Sequence, residues 1–393
     1  MFAAFDPARK IAGRIFIILA ALWALAACQP VSLGGGSGPK LDPGAPIAVA
    51  LLVPHGASSP QEQRLARDLE RAARLAVADL QGVNIDLRVY GTAGSAARAQ
   101  ESALNAVADG AKIIVGPLRA EAANAVAVAV ANQNVNVLAF SNNPTIAGGN
   151  LFILGQTFDN TANRLAGFAA RQGKNRVLAV HSNNLAGQLG KSAIQNAVAA
   201  NGGTMVGSVG YDFSQDGVVT AVPKIKSAVL SNNADAVFMT ANAAGALPLF
   251  SQMLPEAGLG PSQTQFVGLA RWDTPPQTLE LPGVQGGWFT MPDPSRAAQF
   301  RSRFAAANGD QPHALAGLSY DGIAAIGALV KTGKRDALSR GNLTQSAGFQ
   351  GVSGVFRLRP DGTNQRGLAV ATVRNQKVVI LENAPQSFGG AGF

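Results

Sequence analysis

The chain has 393 residues, 47% of them hydrophobic and only 14% charged, with a formal net charge of +9. These values fit two or three compact units with sizeable cores and exclude an intrinsically disordered chain. The basic excess is dispersed, with no Lys/Arg run and no interleaved aromatics, which argues against a nucleic-acid-binding face.

At the N-terminus, Arg9, Lys10 and Arg14 precede the apolar run Ile15–Ala27, "IFIILAALWALAA". That run is too short to span a bilayer comfortably, and it ends in small residues, as an export signal does. The next residue, Cys28, is the only cysteine. "LAAC" resembles a bacterial lipobox, which implies a signal peptide over 1–27, cleavage ahead of Cys28, and acylation of that residue. Several acyl chains on one residue anchor a protein stably where a single chain does not. With no other cysteine, the fold is expected to rely on its core rather than on disulfides, and thiolate catalysis and Cys-based metal sites drop out. Residues 28–45, rich in Gly, Ser and Pro, read as the acylated cysteine and a flexible tether.

From Ile47 the pattern alternates. "IAVALLV" (47–53) predicts a buried strand, and the spacing of Leu65, Leu69, Ala72, Ala73, Ala76, Val77 and Leu80 predicts a helix over 61–80. Then follow a strand at "NIDLRVY", a helix over 95–108, a strand at "KIIVG", a helix over 120–131 and a strand at "NVNVLAF". A second series repeats the scheme. Helices are expected over 160–171, 190–200, 218–230 and 245–254, with strands at "NRVLAVH", "GTMVGSVGY", "ADAVFMT" and "TQFVGL". Alternation of this kind implies two α/β units, each a mainly parallel sheet covered on both faces. "GVQGGWFTMP" (283–292) reads as an extended crossing segment, followed by helices over 295–307 and 312–330. The end alternates around Asp361-Gly362 and Asn375-Gln376, as short antiparallel strands do, and 385–393 reads as a loose tail.

The chemistry that can be tested from sequence is mostly absent. "LAGQLGKSA" imitates a phosphate-cradling loop, but Leu185 stands where the first glycine is needed and no strand ends in a magnesium-binding carboxylate. His55, His181 and His313 are far apart, without metal-site spacing. No G-x-S-x-G elbow occurs, "GLSYDG" being a near miss, and acidic residues form no evident pair. The chain is therefore expected to be non-catalytic and to need no cofactor. In open α/β sheets, ligands bind beyond the carboxyl ends of the strands. That rule nominates 55–59, 116–120, 141–145, 182–187, 240–244 and 269–273, and with them His55, Ser58, Asn143 and Asn242.

The segments "RAARLAVADLQG", "AKIIVGPLRA", "VNVLAFSNNPT", "LAGQLGKSAIQNAVAANGG", "DFSQDG" and "LSYDGIAAIGAL", in that order, resemble the type I periplasmic binding proteins of the leucine/isoleucine/valine-binding class. The resemblance covers about 47–381. It implies two lobes joined by three crossovers, an N-lobe of 46–156 plus 293–345 and a C-lobe of 157–292 plus 346–384. It further implies a small ligand, such as an amino acid, an amide or a related acid, held between the lobes for an ABC importer. Ser141 and Thr145 fit the family loop that contacts a ligand carboxylate, and Gly116 with Pro117 fits the neighbouring loop. The aromatic of the family's Tyr-Gly pair becomes Ala186. The acidic residue facing the ligand ammonium falls near Ala270, with Asp273 the nearest substitute. Arg119, Arg271 and Trp272 are expected in cleft loops, where the two arginines either form surface ion pairs or face an anionic group on the ligand. The chain is also similar to envelope lipoproteins that activate penicillin-binding proteins through protein contacts. Gln29 after the lipobox cysteine implies sorting to the outer membrane. Transport is the reading preferred, with activation as the alternative.

Overall fold

The computed structural model describes residues 38–42, 44–260 and 263–389. The expected signal peptide, Cys28, Gln29, most of the tether and the last four residues lie outside these. The tether's end is already docked: Leu41 is buried and its amide donates to the Arg335 carbonyl at 2.7 Å.

The chain forms two lobes. The first sheet is parallel throughout, in the order β2-β1-β3-β4-β5. Its strands are β1 (Ile47–Val53), β2 (Ile85–Gly91), β3 (Ile113–Val115), β4 (Asn136–Ala139) and β5 (Leu151–Ile153). All residues of β1 are buried, as a strand covered on both faces requires. Val49, Leu51 and Val53 enter one core beneath α1 (Pro60–Asp79), while Ala50 and Leu52 enter another beneath α2 (Ala96–Ala108) and α3 (Ala120–Val130). This is the two-residue alternation of a strand. The Ser59 side chain caps α1, with Pro60 in its first turn.

The second sheet begins after α4 (Phe158–Arg171), whose Thr157 and Asn160 form a reciprocal cap. It contains β6 (Arg176–Ser182), β7 (Thr204–Tyr211), β8 (Ala236–Met239), β9 (Gln265–Gly268) and β10 (Trp288–Met291), all parallel. Helices α5 (Leu185–Ala200), α6 (Gln215–Ser231) and α7 (Leu247–Glu256) cover it together with α4. The chain then returns through α8 (Pro294–Asn308) and α9 (Ala316–Val330), with a short α10 (Arg340–Leu343). It finishes with β11 (Phe349–Gly351), β12 (Gly354–Leu358), β13 (Asn364–Arg366), β14 (Ala369–Arg374) and β15 (Lys377–Glu382). β14 and β15 extend the second sheet antiparallel from β10.

Several expectations need correction. α5 starts at Leu185 rather than 190, because Asn184 caps it by accepting from the Gly187 amide at 2.9 Å. β5, only three residues long, shows no periodicity to read and was not expected. The extended crossing segment contains β10, a full member of the second sheet. Residues 346–384, expected in the C-lobe, divide. β11, β12 and β13 form their own antiparallel sheet, and Phe349, Phe356 and Leu358 pack into the first core. Only β14 and β15 join the second sheet. The expected loose tail is tied down in part: Gln386 donates to Asp293 at 2.8 Å, and Phe388 lies 4.5 Å beneath the Arg357 guanidinium.

Side chains clamp the crossings between sheets. Asn364 donates to the Ile153 and Gly155 carbonyls at 2.7 and 2.8 Å, and Arg366 donates to that of Leu154 at 3.0 Å. Arg164 of α4 donates to the Leu368 carbonyl and to Glu382, each at 2.7 Å, and Arg171 shares the same carboxylate. Burial pushes the Glu382 carboxyl up, but the bonds from Arg171 and Arg164 outweigh it and hold the group below its ordinary value of 4.5. A depressed carboxylate contributes stability that is complete above the unfolded-state pKa and is lost as pH falls through the folded-state one. Acid melts should therefore show the thermal midpoint falling below pH 4.5, and Glu382→Gln should lower the neutral-pH midpoint and flatten that acid limb.

Candidate functional site

The carboxyl ends of β3 and β4 and the three crossings surround a cavity of about 620 Å³. Its apolar walls are Leu118, Phe140, Leu315, Leu318 and Leu368, and its polar rim carries Arg119, Ser141, Asn142, Asn143, Gln156 and Arg366. Arg271, from the loop after β9, lines it from the second lobe, so the cavity lies between the lobes. A mostly apolar hollow with a few placed polar groups is the ordinary form of a small-molecule site.

Each polar group has a local reason for its position. β4 runs out through buried Phe140 into Ser141, whose hydroxyl accepts from the Asn143 amide at 3.1 Å. The Asn143 carboxamide accepts from the amide and hydroxyl of Thr145, at 3.0 and 2.9 Å, and so fixes the following turn. Thr145 is spent on that turn and is not part of the cavity wall. Gln156 donates to Thr161 at 2.9 Å.

The cationic groups are already matched. Arg119 is hydrogen-bonded to Glu62, and Arg271 to Asp273, one arm at 2.8 Å. Arg366 sits 3.2 Å from the fully buried Asp321 and lies over the Phe356 ring at 5.1 Å. Glu121 also reaches the wall and makes no ion pair among the described residues. Three guanidinium groups thus face their own carboxylates, plus one further acid, which removes the argument for an anionic ligand drawn from Arg119 and Arg271.

Of the residues nominated from sequence, the cavity gathers Arg119, Ser141, Asn143 and Arg271. His55 is instead 2.8 Å from Glu70 on α1, and Ser58 is exposed beside the helix cap. Gly116 serves the backbone: at φ 93°, a Cβ there would fall 2.2 Å from the Leu52 carbonyl oxygen. Ala186 and Asn242 lie exposed at the ends of the second sheet, and Asp273 acts through Arg271. Trp272 is not in a cleft loop surface at all. It is fully buried, stacked at 6.4 Å on Phe289. Gln156, Pro292, Arg366 and Leu368 were missed, although a crossing segment floors the cleft of any two-lobed protein. The boundaries expected at 156/157 and 292/293 already pointed there.

Among the described residues no group of three or more His, Asp and Glu is placed to hold a metal ion. Two sheet-centred lobes with a cavity at their crossings define a type I periplasmic-binding fold.

A family model described as periplasmic binding protein matches residues 46–377, and the chain belongs to that family, as a non-catalytic binding protein. A comparison with curated protein sequences found no match. Among solved structures, a putative branched-chain amino acid ABC transporter protein from Rhodospirillum rubrum is 17% identical. That match covers 86% of this chain and all of the other, with a TM-score of 0.73. A leucine-binding protein from Thermotoga maritima is 18% identical over 86% of this chain and 98% of its own, TM-score 0.58. A solute-binding protein from R. palustris, in complex with benzoate, is 17% identical over 88% and 99%, TM-score 0.57. At these identities the likeness establishes the fold.

Proposed function

We propose that this protein is the substrate-binding receptor of an ABC importer and takes a small organic ligand into the interlobe cavity. The observation that carries this reading is the cavity itself: about 620 Å³, apolar on its walls, lined from both lobes, with Ser141 and Asn143 on its polar rim. Because Arg119, Arg271 and Arg366 are internally neutralised, a neutral or zwitterionic ligand such as an amino acid or amide suits the site better than a simple anion. Benzoate and leucine recognition by proteins of the same fold keeps aromatic acids and branched aliphatic amino acids in the panel to be tested. In this reading Cys28 carries a lipid anchor and the receptor works at the periplasmic face of a membrane, beside a permease.

A second reading, activation of a penicillin-binding protein from the outer membrane, is supported by Gln29 and by the second lobe's sparse contribution to the cavity, Arg271 alone. A thermal-shift panel of amino acids, amides and small acids separates the two. The receptor reading expects a saturable rise in midpoint with at least one of them. No response across the panel, together with co-purification of a penicillin-binding protein, would favour activation.

A further inference from the structure

Behind the crossings lies a second cavity, of about 370 Å³, away from the first and sharing only Arg366 with it. One side is α4 with the end of α5, from the second lobe, and the other is β12 and β13. Its lining is almost wholly polar, built from arginines and side-chain amides with Asp159 as the one acid.

The charges there do not balance. Arg164 and Arg171 divide a single carboxylate, Glu382. Arg357 is held by neutral acceptors, the Gln365 carboxamide at 2.9 and 2.6 Å and the Ser346 carbonyl at 3.2 Å. The exposed Arg359 side chain makes no hydrogen bond or ion pair among the described residues, and its nearby carboxylates are Asp159 and Asp361. Asn364 adds a buried carboxamide oxygen with no partner. A buried polar atom without a partner is costly unless something else satisfies it, and the exposed Arg359 is open to a ligand. Planar guanidinium groups match oxyanions in two-pronged geometry, and amide N–H groups complete such a shell.

We infer that this rear cavity is a binding site for a small multiply charged oxyanion, a polycarboxylate or phosphate, held by Arg357 and Arg359 from one side and by the Asn163 face of α4 from the other. The ligand's hydroxyl or bound water donates to the Asn364 oxygen. Because α4 and the β12–β13 hairpin belong to different lobes, the bound ion bridges them.

The test uses the full chain in mild detergent, titrated with citrate and separately with inorganic phosphate, against sodium chloride at matched ionic strength. Binding is followed by calorimetry. The expected result is saturable binding of one or both anions at one site per chain, with the stronger binder identifying the source. Arg357→Gln/Arg359→Gln should weaken it at least about tenfold. Since losing Arg357 also removes the contact with Phe388, exposed Asn163→Glu provides an independent check and should weaken it by a similar factor through charge repulsion. Heat no different from that of chloride, or unchanged affinity in Asn163→Glu, overturns the assignment.

Discussion

Arg366→Met should lower stability by about 3–5 kcal/mol at neutral pH, because removing one partner of a buried ion pair leaves the other without compensation. Asp321 is fully buried in α9 and accepts from the Val352 amide at 2.7 Å as well as from Arg366 at 3.2 Å. A Cβ on Gly351 would fall 2.7 Å from its carboxylate, so that strand packs directly against the acid. Burial pushes the Asp321 carboxyl up, and Arg366 with the Val352 amide draws it back. The upward push already prevails with Arg366 in place, and without it the carboxyl rises further. A carboxyl whose folded pKa lies above its unfolded one loses stability as pH rises past the unfolded value, here 3.8, so the variant's deficit should be largest near pH 7 and shrink as pH falls toward 4. Chemical denaturation of both proteins at pH 7 and pH 5 reads this directly. The double variant Asp321→Leu/Arg366→Met should recover much of the loss. Arg366 also holds the Leu154 carbonyl at the first crossing, so the single variant should weaken ligand binding as well.

Trp272→Ala should cost about 3–5 kcal/mol, the range for removing a buried large aromatic side chain. The indole is wedged between two glycines: a Cβ on Gly268 would fall 2.3 Å from it and one on Gly287 2.2 Å. It anchors the loop whose neighbours are Arg271 and Asp273. The structural damage should therefore reach the cavity: affinity for a cleft ligand should fall in Trp272→Ala even under conditions where the variant stays folded. Gly268→Ala, which overfills the same slot and displaces the indole without removing it, should cost about 1–3 kcal/mol. Thermal melts of the two variants, with ligand titration of each, separate anchoring from packing.

Trp272 shows where sequence reasoning runs out. The residue follows a strand end, in a loop the topology places on the cleft, and a tryptophan beside an arginine there looks like a ligand contact. Only the tertiary packing of Gly268 and Gly287 discloses that the ring turns inward. The parallel sheets were legible because β1, β6 and β8 are continuous apolar runs between amphipathic helices, a pattern that covering both faces imposes. β5 was invisible at three residues. The destination of 346–366 was hidden too, since alternation marks strands without saying which core receives them. The phosphate-loop imitation at Gly190-Lys191-Ser192 dissolves because Leu185–Ala200 is helix throughout, with Gly190 packed against Thr240. At the site, strand-end reasoning found Ser141 and Asn143 but not Arg366, whose role depends on a buried carboxylate 45 positions earlier in the chain.

The cavity as ligand site is most directly tested by calorimetric titration of wild type and Ala120→Trp with the best ligand of the panel. Ala120 opens α3 on the cavity wall, where an indole would occupy the space of a guest while leaving the sheets untouched. One ligand should bind per wild-type chain, with at least about a tenfold loss of affinity in a variant whose melting is unchanged. Full-strength binding to Ala120→Trp would place the ligand elsewhere and contradict this assignment.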